Sequence, residues 1–125
     1  MYTLCAQRAF NARHWLVGGD WGSENQVHTH SYRIELRLSA ERLDRHGYLA
    51  DLCELEPLLD ECVAVYKDRL LNELDEFEGL NPSIERFARL FHLRFMQRLG
   101  DHPFSAVEIR VWENETAWAG FREDF

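Results

Sequence analysis

The sequence predicts an α+β fold: a four-stranded antiparallel sheet with two helices on one face, in the order ββααββ. Three features predict it. Two long runs of alternating polarity open the chain, two runs with helical spacing follow, and two shorter alternating runs close it. The 125 residues are expected to form one domain, 1–125, since 46% hydrophobic and 13% aromatic content suits a packed core.

In the first run, Leu4, Ala6, Phe10, Ala12, His14 and Leu16 share one parity, and Thr3, Gln7, Asn11 and Arg13 the other; Arg8 breaks the apolar side. A turn-rich loop, Gly18-Gly19-Asp20-Trp21-Gly22-Ser23, leads to a second strand from about Val27 to Leu38. There Tyr32, Ile34, Leu36 and Leu38 alternate with Ser31, Arg33, Glu35 and Arg37, and the even parity extends back to His28 and His30. A hairpin of these strands brings His14 beside that pair.

After the connection through Arg45-His46-Gly47-Tyr48, the residues Leu55, Leu58, Leu59, Cys62, Tyr66 and Leu70 recur at helical spacing, with Pro57 expected in the first turn. A second helix is expected to start near Asn81-Pro82-Ser83. Its buried stripe is Ile84, Phe87, Ala88, Phe91, Phe95 and Leu99, and Gly100 ends it. Strands near Ala106–Glu113 and Thr116–Arg122 meet at a turn around Asn114-Glu115.

Lys+Arg 14 against Asp+Glu 22 gives a net charge of −8, which leaves no phosphate-neutralising surface and argues against a nucleic-acid partner. No apolar run approaches membrane-spanning length, so no membrane partner is expected. Without a basic-then-apolar leader at the start, the expected location is the cytoplasm. Cys5, Cys53 and Cys62 have no CxxC spacing and read as small buried side chains in a reducing compartment.

His14, His28 and His30 are the candidate metal ligands. Three imidazoles on one sheet face can share an ion, and a three-nitrogen zinc site keeps a fourth position open for substrate. His46, His92 and His102 lack such convergence and read as surface residues. Glu113 continues the inward parity of Val107, Ile109 and Val111. An ionised carboxylate there needs a partner, so it reads either as an anchor for two adjacent N–H donors or as a strand-end residue reaching solvent. Glu24, Asp75 and Glu76, taken alone, read as acidic loop surface.

Taken together, Phe10-Asn11-Ala12-Arg13-His14, His28-Thr29-His30-Ser31-Tyr32, Gly47-Tyr48-Leu49-Ala50-Asp51-Leu52, Leu74-Asp75, Leu80-Asn81-Pro82-Ser83-Ile84-Glu85, and Glu113 with Thr116-Ala117-Trp118 resemble the 6-pyruvoyl-tetrahydropterin synthase and 6-carboxytetrahydropterin synthase family. The resemblance implies the tunnelling fold and Zn2+ on His14, His28 and His30. Glu113 would grip the pyrimidine edge of a pterin-like substrate, with Asp51, Ser83 and Glu85 as further substrate-binding positions. It also implies a homo-oligomer, usually a hexamer built as a dimer of trimers, with sites at subunit interfaces. Family members act on 7,8-dihydroneopterin triphosphate, giving a pyruvoyl product or, in the queuosine-pathway branch, a carboxy product.

The departures from the family pattern concern proton transfer. HGH reads His28-Thr29-His30 here, Glu24 occupies the slot of the catalytic cysteine, Asp75 is kept, Glu76 replaces the relay histidine, and Ser83 and Arg86 stand for threonine and asparagine. A thiolate and an imidazole can pass a proton near neutral pH, whereas a carboxylate of ordinary pKa, about 4.3, is a weaker base. Glu24, Asp75 and Glu76 are therefore the candidate catalytic residues. A family branch with glutamate in the cysteine slot cleaves the side chain to 6-hydroxymethyl-dihydropterin, an outcome useful for folate synthesis. The alternatives are standard synthase activity and a non-catalytic paralogue that keeps zinc and a pterin-like ligand.

Overall fold

The computed structural model describes residues 1–125. Strands β1 (Tyr2–His14) and β2 (His28–Ala40) come first, then helices α1 (Leu52–Tyr66) and α2 (Ile84–Leu99), then β3 (Ala106–Trp112) and β4 (Trp118–Asp124). The four strands form one antiparallel sheet in the order β1-β2-β3-β4. The ββααββ order and the sheet are those the alternation predicts. No helix is long and apolar enough to cross a membrane.

The β1–β2 ladder runs unbroken from Tyr2↔Ala40 to His14↔His28. Its inward residues, Phe10, Ala12, Tyr32, Ile34, Leu36 and Leu38, share one core with Val107, Ile109 and Val111 of β3 and with Leu55, Leu59, Phe87, Phe91 and Phe95 of the helices. Each large apolar side chain buried this way contributes about 1.5–3 kcal/mol. Arg8, which breaks the inward parity of β1, reaches α1 instead: its Nε donates to Asp60 and its Nη2 to Glu56, both at 2.6 Å.

The outward face of the sheet is polar and self-covered. Arg37, Glu108 and Arg122 are neighbours across β2, β3 and β4, and Glu35 lies opposite Arg110. Charges thus alternate across the face, the favourable cross-strand arrangement. Glu35 is buried although it points outward, because its Oε1 accepts from Gln7 Nε2 (3.1 Å) and Trp112 Nε1 (2.9 Å). The Arg33 guanidinium lies 4.5 Å from the Trp112 ring centroid, so Trp112 is held at its edge and on its face.

Helix α1 begins earlier and ends sooner than its periodicity suggests. Asp51 caps it, accepting from Cys53 N at 2.9 Å, which moves Pro57 into the second turn rather than the first. Asp68, at φ 59°, reverses the chain, so Leu70 leaves the helical stripe and pairs with Arg13 of β1. Ser83 caps α2, its Oγ accepting from Arg86 N at 3.2 Å, and Pro82 precedes the cap instead of occupying the first helical position. Gly100, at φ 69°, ends α2 as expected.

Two other expectations are corrected. His92 is buried rather than on the surface: its Nε2 bonds the Val107 carbonyl at 3.2 Å and its ring meets Phe121 edge-on. Of the three cysteines only Cys62 is buried, while Cys5 and Cys53 are exposed and all three are free thiols.

Removing either cap, by Asp51→Ala or Ser83→Ala, is expected to lower stability by about 1 kcal/mol, whereas Asp51→Asn and Ser83→Thr retain most of it. Urea denaturation of each variant measures this directly.

Candidate metal and ligand site

The final pair of the β1–β2 ladder, His14↔His28, sits next to Ala12↔His30, so the register alone puts three imidazoles at one end of the hairpin. Their ring centroids are 4.5 Å (His14–His28), 4.9 Å (His14–His30) and 5.5 Å (His28–His30) apart. One ring nitrogen from each lies within 4.8 Å of the others, a spacing suited to one metal ion. His14 is buried and the other two are half-buried, so one side of the cluster stays open.

The hydrogen bonds around the rings indicate which nitrogens are free. His28 Nδ1 is 2.8 Å from the Gln26 carbonyl, which only accepts, so Nδ1 carries the proton and Nε2 keeps its lone pair. That Nε2 is 2.9 Å from His14 Nε2, and the opposite nitrogen of His14, Nδ1, is 2.9 Å from the Tyr32 hydroxyl. Backbone or side-chain partners on the far nitrogen are what orient histidine ligands around a metal. The donor set, three imidazoles with a fourth direction open, fits zinc.

Burial, followed by the neighbouring His28 and His30, pushes His14 down to about 4. Burial, with a smaller contribution from Glu113, holds the Tyr32 phenol protonated beyond its ordinary range. Both groups are therefore neutral near pH 7.

Tyr32 also lines a cavity of about 430 Å³ with Ser31, Arg33, Trp112 and Glu113. β3 ends at Trp112, so Glu113 begins the turn instead of ending the strand. It is half-buried, and its N–H donates to the Ala117 carbonyl at 3.2 Å. Asn114 Oδ1 accepts from Thr116 N, Thr116 Oγ1 and Ala117 N, which closes that turn. With Trp112 held by Glu35 and Arg33, the backbone just before Glu113 is fixed.

Glu24 lies on a short 3-10 turn, Gly22–Asn25, with its side chain exposed. Its carbonyl accepts from Leu16 N at 2.9 Å, which places it across from the residue two beyond His14. Three amide side chains secure the surrounding loop. Asn72 pairs with both the N–H and the carbonyl of Trp15, Asn81 accepts from Val17 N, and Asn25 donates to the Leu16 and Gly19 carbonyls.

The other candidates lie elsewhere in the chain. Glu76 is tied into the helix layer: it accepts from Tyr66 Oη at 2.9 Å and from Arg94 Nε at 2.9 Å. A line of rings in edge-to-face contact, Tyr66, Phe87 and Tyr32, stands between it and His14. Asp75 is exposed beside it. Asp51 and Ser83 are helix caps, and Glu85 is exposed in the first turn of α2. Asp51 borders a larger cavity, about 750 Å³, that shares no residue with the histidine cluster.

Sequence reading missed Tyr32, Gln26 and the three asparagines. Tyr32 had a usable signal, since it shares the parity of His28 and His30; the others act through loop geometry that leaves no periodic trace.

Fold and site together define a tunnelling-fold protein with a histidine cluster suited to a metal ion. The chain belongs to the 6-pyruvoyl tetrahydropterin synthase family, whose model matches residues 3–124. A protein of Archaeoglobus fulgidus, provisionally named 6-carboxy-5,6,7,8-tetrahydropterin synthase, is 29% identical over 114 residues, 91% of this chain and 90% of that one. The 6-pyruvoyl tetrahydropterin synthase of Caenorhabditis elegans superposes with a TM-score of 0.85 at 18% identity, over 98% of this chain and 96% of that one. That of Plasmodium vivax superposes at 0.78 and 15% identity, over 99% and 98%. A variant of the Plasmodium vivax enzyme, described as altered to alanine at a catalytic glutamate, superposes at 0.75 and 14% identity, over 99% and 98%.

The histidine shift has a measurable consequence for the metal-free protein. His14 has a depressed folded pKa, about 4 against 6.5, and burial also lowers His92. Between these values the unfolded chain takes up protons that the folded chain refuses, so stability must fall as pH drops from about 6.5 toward 4. Thermal unfolding in chelator across this range is expected to show that loss, and His14→Gln should flatten part of it.

Proposed function

We propose that the chain is a zinc-dependent lyase of this family, acting on the side chain of 7,8-dihydroneopterin or its triphosphate with Glu24 as general base. The observation that carries the reading is the convergence of His14, His28 and His30 next to Tyr32, a residue that also lines the cavity bordered by Glu113. Bound by the three histidines, zinc supplies Lewis-acid polarisation of side-chain oxygens and lowers the pKa of a hydroxyl. Glu113 accepts two adjacent N–H donors of the pterin ring edge and so fixes the ring relative to the histidines.

Glu24 accepts the proton of the second side-chain hydroxyl. The bond between the first and second side-chain carbons then breaks: the two-carbon fragment leaves as an aldehyde, and the carbon attached to the ring regains a proton to give 6-hydroxymethyl-dihydropterin. The catalytic glutamate of the Plasmodium vivax relative is a precedent for a carboxylate in this fold. Asp75 is proposed to assist at the loop, while the bonds of Glu76 to Tyr66 and Arg94 favour a structural share for it. The exposed Asp51 and Glu85 and the half-buried Ser83 would meet substrate across a subunit boundary. The position of β1 and β4 as edge strands, β1 being covered by 68–70 only near its end, supports a homo-oligomer, with a hexamer of two trimers as the proposed form. The proposed location is the cytoplasm.

A second reading, formation of a 6-carboxy or 6-pyruvoyl product, is favoured by the Archaeoglobus fulgidus relative. Mass analysis of the products from dihydroneopterin and its triphosphate separates the two, with 6-hydroxymethyl-dihydropterin expected. Pterin bound without any product would instead mark a non-catalytic binding protein. Glu24→Gln is expected to lower kcat by about 10²–10⁴-fold with zinc content unchanged, and His28→Ala to lose the metal. Full activity in Glu24→Gln would remove the glutamate from the mechanism.

A further inference from the structure

We infer that Tyr32 is the positioning residue of the metal centre: its hydroxyl holds His14 with Nε2 toward the ion while its ring shelves His30. The inference rests on the metal-centre reading above and deepens it. Tyr32 is 2% exposed, and its hydroxyl is 2.9 Å from His14 Nδ1. Its ring stacks on His30 at a centroid distance of 5.4 Å and an interplanar angle of 26°. Phe87 meets it edge-on at 5.2 Å, with Phe10 behind at 6.0 Å, so the phenol is braced from the core side. One side chain therefore touches two of the three ligands, while the third, His28, is oriented separately by the Gln26 carbonyl.

The proton arrangement explains why a hydroxyl is needed there. In the tautomer with His28 protonated on Nδ1 alone, the 2.9 Å contact between the two Nε2 atoms has His14 Nε2 as the donor in the metal-free chain. His14 Nδ1 is then bare and accepts from Tyr32. When both Nε2 lone pairs serve an ion, the His14 proton resides on Nδ1 and the Tyr32 oxygen must accept it. A hydroxyl can donate in one state and accept in the other, whereas a carbonyl or an ammonium serves only one of them. Tyr32 thus satisfies His14 in both states, at the same place and without moving its ring.

The test uses the full chain and Tyr32→Phe, which keeps the ring against His30 and Phe87 and removes only the hydroxyl. Zinc affinity is read by competition with a chromogenic chelator, and ligand geometry from the visible spectrum of the cobalt-loaded protein. Loss of such an orienting partner is expected to weaken zinc binding by about 10–100-fold and to alter the cobalt bands, with the far-ultraviolet circular dichroism unchanged. Equal zinc affinity and identical cobalt bands in the variant would overturn the role. Nitrogen-15 imidazole spectra of the zinc-loaded wild type give a second readout that does not require the variant to fold. His14 bound through Nε2 with a proton on Nδ1 supports the assignment, and His14 bound through Nδ1 overturns it. A wild-type chain that takes up no zinc would fail at the metal centre itself and bring this role down with it, an outcome distinct from a zinc site indifferent to Tyr32.

Discussion

The site depends on one constraint, the register of β1 against β2. Side chains alternate faces with a period of two, so a slip of one residue would turn every inward group of one strand to the opposite face. The histidines sit at the very end of the ladder, where His14 faces His28 directly, and a slip there would part them. What resists it is the apolar set further back, Phe10, Ala12, Tyr32, Ile34 and Leu36, which is buried in one register only. Core packing at one end of the hairpin therefore fixes the geometry at the other.

Much of this was legible in the linear order of residues, and the legible part is the periodic part. Strict alternation located both long strands and put three histidines on the inward face, while the three- and four-residue spacing located both helices. The failures occur where a distant group or a single dihedral decides the outcome. Nothing near His92 announces that the Val107 carbonyl waits for its ring. Leu70 keeps the helical period of α1, and the non-helical backbone at Lys67 (ψ 128°) followed by the left-handed Asp68 removes it from the helix. Nothing in the slot of Glu76 shows that Tyr66 and Arg94, from two different helices, bond its oxygens.

The chain also manages charge differently on the two faces of its sheet. Outward, Arg33, Arg37, Arg110 and Arg122 interleave with Glu35 and Glu108, so that even a buried carboxylate finds donors. Inward, the histidines gather at one end, where they meet one another or the Tyr32 hydroxyl, and Arg8 is paired with Asp60 and Glu56 of α1. Buried polar groups without partners are costly, and pairing on one side with clustering on the other leaves few of them, the Nε atoms of Arg33 and Arg37 on the outer face. Trp112 links the two arrangements: its indole N–H serves Glu35 on the outer face, and the next residue, Glu113, borders the Tyr32 cavity.

The loop between the two long strands is closed on itself by the amide of Asn25 and joined to the rest of the molecule through the amides of Asn72 and Asn81. The histidines, by contrast, are set into a continuous backbone ladder. Side-chain tethers tolerate replacement far better than ladder pairs, so the segment carrying Glu24 can diverge while the ion-binding end of the hairpin stays intact. Such a division lets one scaffold acquire a new reactive group without rebuilding its metal cradle, and a glutamate in place of a thiol is the kind of exchange it permits.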